Sequence, residues 1–150
     1  MLAGQRRGLF VGLRSDHATA EMGGGVVYPI GYAIQQSISS LREAGCTVSE
    51  LRACGGQAKN AIWNQMKADI TGIPVSVPAV IDAELLGCYC CARVGLDDHA
   101  DVRDAARESV QIVHRFEPDA ARTRQFTDGY ERYLHTYQRY VTAIRNADAS

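Results

Sequence analysis

The sequence has no apolar run approaching the ~20 residues of a membrane span. Met1 to Leu13 carries charge and has neither an apolar signal-peptide core nor a small-residue cleavage site, so secretion is not expected. Charge of one sign is missing too. Sixteen basic residues face 17 acidic ones, a formal net charge of −1, which removes the electrostatic footprint of a general nucleic-acid binder. Low-complexity tracts and internal repeats are absent, and at 46% hydrophobic content the chain is too apolar for disorder. What 150 residues with this composition can form is one globular domain, expected to be cytoplasmic.

Cysteine is present but in an odd number: Cys46, Cys54, Cys88, Cys90 and Cys91. Five thiols cannot close a disulfide framework. The run Cys88-Tyr89-Cys90-Cys91 is read as small buried apolar residues rather than a zinc-ligand set, and no metal site is expected. Histidines 17, 99, 114 and 135 are scattered, with no i, i+4 pair to grip a metal. Ser15-Asp16-His17 is not a triad, because adjacent residues do not converge on one site. Asp97, Asp98 and Asp101 read as helix caps, and the arginines from Arg103 to Arg145 as a solvated face.

Periodicity gives an α/β reading. Strands are expected at Gly8–Leu13, within Thr47–Cys54 and at Val75–Pro78. Pro29 is tolerated best in a first turn, so the helix running to Ala44 is expected to begin there, behind Gly23-Gly24-Gly25, and to stop at Gly45. A second helix is expected over Ala58–Ile70, with Ala58, Ile62, Met66 and Ile70 as its inner stripe. Asp82–Val94 is a third, its small face of Gly87, Cys88, Cys91 and Ala92 suited to packing on a sheet. Val102 to Val113 reads as one more amphipathic helix. The last, Ala120–Asn146, carries Phe126, Tyr130, Tyr133, Tyr137, Tyr140 and Ile144 on one stripe, which would dock on the domain or on a partner.

The chemistry-bearing stretch is Leu51-Arg52-Ala53-Cys54-Gly55-Gly56-Gln57-Ala58-Lys59-Asn60, where a strand runs through two glycines into a helix. Glycines let a ligand lie against the backbone, and a helix N-terminus favours an anion or the polar edge of a nucleotide. Gln57 and Asn60, expected on the first helical turn, can hydrogen-bond a ribose or base. The pattern is neither a Walker A loop nor G-x-G-x-x-G. On its own, such a turn is more often plain structure than a binding site.

This stretch resembles the C-terminal domain of the FGGY family of carbohydrate kinases, where G-G-x-A-K/A-N/S, W/L-x-Q and A-D-x-x-G follow in that order. Here they are Gly55 to Asn60, Trp63-Asn64-Gln65 and Ala68-Asp69-Ile70-Thr71-Gly72. Asp82 to Gly87 is similar to the family's E-A-x-A-L-G helix, Arg7 to Leu13 to its R-G-x-x-x-G-L strand, and Leu2 to Arg6 to its L-x-G-E-R loop. Phe116-Glu117-Pro118-Asp119 and the tyrosine-rich helix are similar to the family's closing segment. The family's R-A-x-x-E-G helix, by contrast, stands here as Gly24 to Pro29.

The resemblance implies the C-terminal part of an actin-like, ribonuclease-H-like ATPase, spanning residues 1–150, with ATP and magnesium on one side of a cleft and a sugar on the other. By position, contact with the adenosine falls to Gly55, Gly56, Gln57 and Asn60. The sugar-binding N-terminal domain, the phosphate loops and the general-base aspartate precede this region in the family. Neither Asp16 nor Asp69 matches that base, so no catalytic residue is assigned and the chain alone is expected to be inactive. The alternative is a non-catalytic assembly module or truncated remnant, self-associating, for instance as a homodimer, through the aromatic helix.

Overall fold

The computed structural model describes residues 10–148, with side chains to residue 142. Its elements run α1 (Thr19–Glu43), β1 (Leu51–Arg52), a 3-10 turn (Gly56–Lys59), α2 (Ala61–Thr71), β2 (Val75–Pro78), α3 (Ala83–Gly95), α4 (Val102–Ser109), β3 (Ile112–Phe116) and α5 (Ala120–Asp148). The sheet has the order β1-β2-β3. β1 is parallel to β2, with Leu51 opposite Val75, and β2 is antiparallel to β3, with Val75 opposite Phe116.

Helix α1 begins ten residues before the proline expected to open it. Its start is held by the Glu21 carboxylate, which accepts from the Ala18 N–H at 2.9 Å. Pro29 therefore sits inside the helix. Tertiary contacts on both sides of the proline outweigh its local cost. Tyr28 meets Phe126 edge-on at 5.6 Å, and Tyr32 lies 5.9 and 5.5 Å from the rings of Tyr130 and Tyr133. At two of the three glycines, close neighbours use the space they leave. A Cβ at Gly24 would sit 2.8 Å from the Tyr28 ring, and one at Gly25 would sit 3.2 Å from Phe10. The stop at Gly45 is as expected. With φ +84°, Gly45 donates to Arg42 O while Cys46 donates to Leu41 O, a Schellman closure.

The expected strand at Gly8–Leu13 does not form over its described part. Phe10, Val11 and Leu13 are exposed and pair with no strand, because they run beside α1 and α5 instead of the sheet. Gly8, Leu9 and the Leu2–Arg7 segment lie outside the described residues. The Thr47–Cys54 strand shrinks to Leu51–Arg52, the two residues that β2 can pair. The third strand is one that the sequence reading folded into a helix. α4 ends at Ser109, and Ile112–Phe116 crosses to the sheet.

One sheet face is covered by α2. Ala53, Ala58, Ala68, Val75 and Val77 form its core, with Leu51, Ile81 and Phe116 against it. The expected stripe of α2 holds in part: Ala58 and Ile70 are buried and Met66 half-buried, but Ile62 is 78% exposed. Trp63, Asn64, Lys67, Ala68, Asp69 and Thr71 are buried alongside Ile70. α5 has the expected span, and its stripe divides. Phe126, Tyr130 and Tyr133 pack toward α1, while Tyr137 and Tyr140 remain 46% and 40% exposed. The Ile144 side chain lies outside the described residues.

Helix α3 faces the opposite way from expectation. Leu86, Cys90 and Arg93 fall on the side that packs on α4, and Gly87, Cys88, Cys91 and Ala92 are exposed. The thiols are accordingly not a buried run: only Cys90 is buried, and Cys46, Cys54, Cys88 and Cys91 are exposed. No helix among the described residues is long and apolar enough to cross a membrane.

Candidate functional site

The turn after β1 is fixed from beneath and open above. Ala53 N–H donates to Ser76 O at 2.9 Å, carrying the parallel pairing one residue past β1. Gly55 has φ +72°, a conformation that side chains rarely adopt, and its N–H donates to Ile81 O at 2.8 Å. That bond ties the turn to the loop leading into α3. The turn then winds through Gly56–Lys59 in 3-10 geometry, with Ala58 N–H donating to Gly55 O and the Ala58 side chain buried.

Gln57 and Asn60 precede α2 rather than lying on its first turn. The Asn60 Oδ1 accepts from Trp63 N–H at 3.0 Å, which makes Asn60 the N-cap. The Gln57 Oε1 accepts from the Trp63 indole Nε1 at 2.9 Å. Asn64 Nδ2 donates to Ala58 O at 2.7 Å from the buried side. Both amide oxygens are thus committed to holding Trp63, and the Nδ2 and Nε2 groups are the ends left to meet a ligand. A Cβ placed on Gly55 or Gly56 would touch nothing within 4 Å.

All four residues singled out in the sequence therefore come together in one six-residue turn. It lies at the carboxyl ends of the parallel pair β1 and β2, where open α/β sheets form ligand crevices. The sequence did not reveal the part played by Trp63, whose indole braces the turn from the α2 side. Nor did it show Lys67, a buried ammonium 5.2 Å over the Trp63 ring and 3.3 Å from Asn64 Oδ1. Burial pushes the Lys67 pKa down from 10.5.

The acidic residues considered for chemistry are engaged elsewhere. Asp16 pairs with Arg14 at 2.8 Å on the surface, and that bond holds its pKa below the usual range. Asp69 is fully enclosed and accepts from Gln65 Nε2, Asp119 N–H and the Arg122 guanidinium at 2.9, 2.9 and 3.1 Å. Asp101 caps α4 by accepting from Asp104 N–H, as expected, whereas Asp98 pairs with Arg93 at 2.6 Å. Among the described residues, no three His, Cys, Asp or Glu side chains gather to hold a metal ion.

Residues 1–96 match the family model for the C-terminal domain of the FGGY family of carbohydrate kinases. The chain belongs to this family. Its FGGY relatives include a xylulose kinase of Staphylococcus epidermidis, 27% identical over 89% of this chain and 26% of that protein. An autoinducer-2 kinase of Enterobacter sp. is 36% identical over 59% of this chain and 16% of that protein. The chain thus spans about a quarter of the length of the first of these relatives. A solved structure of ligand-bound xylulose kinase from Lactobacillus acidophilus superposes with a TM-score of 0.78 at 23% identity. It covers 97% of this chain and 28% of that one. The fold is therefore that of the actin-like FGGY kinases, in the partial form of their C-terminal domain, and the likeness runs on past residue 96 into α4, β3 and α5.

Proposed function

We propose that this chain is the C-terminal, nucleotide-binding portion of an ATP-dependent carbohydrate kinase, whose reaction transfers the γ-phosphoryl group of ATP to a sugar hydroxyl. The observation that carries the reading is the turn Gly55–Asn60, rigid on its inner side and free of side chains over both glycines.

The residues present fit an adenosine. Gly55 and Gly56 let a flat base or ribose approach the backbone, and the amide NH2 groups of Gln57 and Asn60 can donate to its oxygens or ring nitrogens. The N-terminus of α2, next in the chain, favours the negative charge that follows from the phosphates. ATP supplies the phosphoryl group. The described residues do not fit a magnesium site, since no carboxylate set gathers near the turn, and magnesium enters this reading only as a companion of the nucleotide. Neither Asp16 nor Asp69 is free to take a proton from a sugar hydroxyl, because both are paired. Sugar binding and proton removal are therefore assigned to a domain like the rest of the longer relatives.

Trp63 supplies the test. It is the sole tryptophan of the chain and is bonded directly to Gln57. Titrating ADP into the protein is expected to shift Trp63 emission saturably, and a Gln57→Ala variant should show a weaker response. Emission that stays flat through millimolar ADP would contradict the proposal.

A further inference from the structure

Amide side chains read adenine by a two-point pairing, in which the amide oxygen accepts from the 6-amino group while the NH2 donates to N7. At the Gly55–Asn60 turn that pairing is closed off. The Gln57 Oε1 accepts from the Trp63 indole N–H at 2.9 Å, and the Asn60 Oδ1 from the Trp63 main-chain N–H at 3.0 Å. Both Trp63 groups can only donate, so neither amide can turn over without losing its bond. An oxygen held toward Trp63 leaves the NH2 group on the far side of each amide, and Gln57 and Asn60 are both exposed.

Main-chain acceptors of the turn are engaged as well. Gly55 O accepts from Ala58 N–H at 3.1 Å, and Gln57 O from Asn60 N–H at 3.2 Å. Ala58 O accepts from Asn64 Nδ2 at 2.7 Å, and Asn60 O from Asn64 N–H at 3.0 Å. The Asn64 amide is itself fixed, because its Oδ1 accepts from Lys67 Nζ at 3.3 Å in a buried setting. Lys59, exposed in the same turn, adds an ammonium that can only donate. All these bonds run between residues 55 and 67, so they do not depend on any surface that a longer chain would cover.

A face of donors suits an edge of acceptors. The 6-oxopurines, guanine and hypoxanthine, carry acceptors at both O6 and N7, whereas adenine has a donor in place of O6. Against this turn the adenine amino group would meet NH2 groups, and a donor left without a partner weakens a contact. Resting on the reading of this turn as a nucleotide site, we propose that it takes the acceptor edge of a 6-oxopurine, so that GDP and IDP bind at least as tightly as ADP. ADP remains a ligand through its ring nitrogens and ribose oxygens.

Calorimetric titration of the chain with ADP, GDP and IDP, at one magnesium concentration, tests this. GDP and IDP are expected to bind at least as tightly as ADP. IDP should follow GDP, because the two share the 6-oxo edge and differ only in the 2-amino group. Gln57→Glu keeps one oxygen for the indole and puts a second where the NH2 stood. Its added charge repels all three diphosphates alike and cancels in their ratio. The ratio of the ADP to the GDP dissociation constant is therefore expected to fall about tenfold in this variant. Gln57 is exposed, so the variant should fold, which circular dichroism checks. A parent chain that binds ADP more tightly than GDP and IDP overturns the proposal and leaves the nucleotide reading in place. So does a ratio unchanged in folded Gln57→Glu, or GDP binding that IDP does not share. A parent that binds none of the three overturns both.

Discussion

Asp69 shows how much one side chain can join. Its carboxylate is 0% exposed and links α2, through Gln65, to the first turn of α5, through Asp119 and Arg122. Replacing it with alanine leaves these donors unpaired and is expected to cost about 3 kcal/mol, read as a lower urea midpoint with an unchanged slope. A loss under about 0.5 kcal/mol would show the junction to be idle. Lys67 works in the opposite direction. Its folded pKa lies below 10.5, so between that lowered value and 10.5 the unfolded chain binds more protons and the lysine's contribution to stability rises with pH. Lys67→Met removes the desolvated charge and is expected to raise stability by about 1 kcal/mol at neutral pH. Its advantage should shrink as pH climbs through the window. Tyr32 and Tyr133, whose pKa values burial raises above 10.0, titrate in both proteins and cancel in that difference. An advantage that grows toward high pH would contradict this account. The sequence marked Asp69 as part of a structural turn through its A-D-x-x-G resemblance, but partners 50 and more positions away leave no trace in local spacing.

At the level of elements, packing corrected local propensity in several places. Val75–Pro78 was legible because an apolar, β-branched run lies between turn residues, and β2 is the buried central strand. Ile112–Phe116 was not, because Val110 and Val113 continue the helical spacing of Val102 and Ala106. Only the sheet decides where that pattern changes period. The glycine-rich start of α1 reads as a turn until Phe10, Tyr28 and Ile70 are set against it. This makes opposite predictions for two glycines of one helix. Gly31 is buried where an added methyl would run into the Cδ1 of Ile70, so Gly31→Ala is expected to destabilise by about 1–3 kcal/mol. Gly23 faces open space, and Gly23→Ala is expected to stabilise by about 0.5–1 kcal/mol. Thermal melts of the two variants should therefore move to opposite sides of the parent. Shifts of the same sign would mean that α1 does not pack on α2 through Gly31.

For the whole molecule, the candidate turn was the most legible part and the surfaces around it the least. Gly55, Gly56, Gln57 and Asn60 were readable because a turn needing glycine and a cap needing asparagine leave their chemistry in the sequence. The inward or outward direction of Ile62, Cys88 and Cys91 was not, since it depends on which helix faces happen to be covered. The chain corresponds to about a quarter of the length of the xylulose kinases it resembles, and under the proposed function it would offer one side of a nucleotide cleft, with Asp16 and Asp69 both paired. Incubated alone with ATP, magnesium and a ketose, it is expected to form no sugar phosphate above the blank, and measurable turnover would contradict that assignment. The most direct measurement of the central claim is calorimetric titration of the chain and of Gly56→Val with ADP and with ATP plus magnesium. Gly56 has open space for a side chain, so the variant should fold while placing a branched group where the adenosine would lie. The account predicts saturable binding to the parent and its loss in Gly56→Val. A cooperatively melting parent that binds neither nucleotide, or a variant that binds as well as the parent, would contradict it.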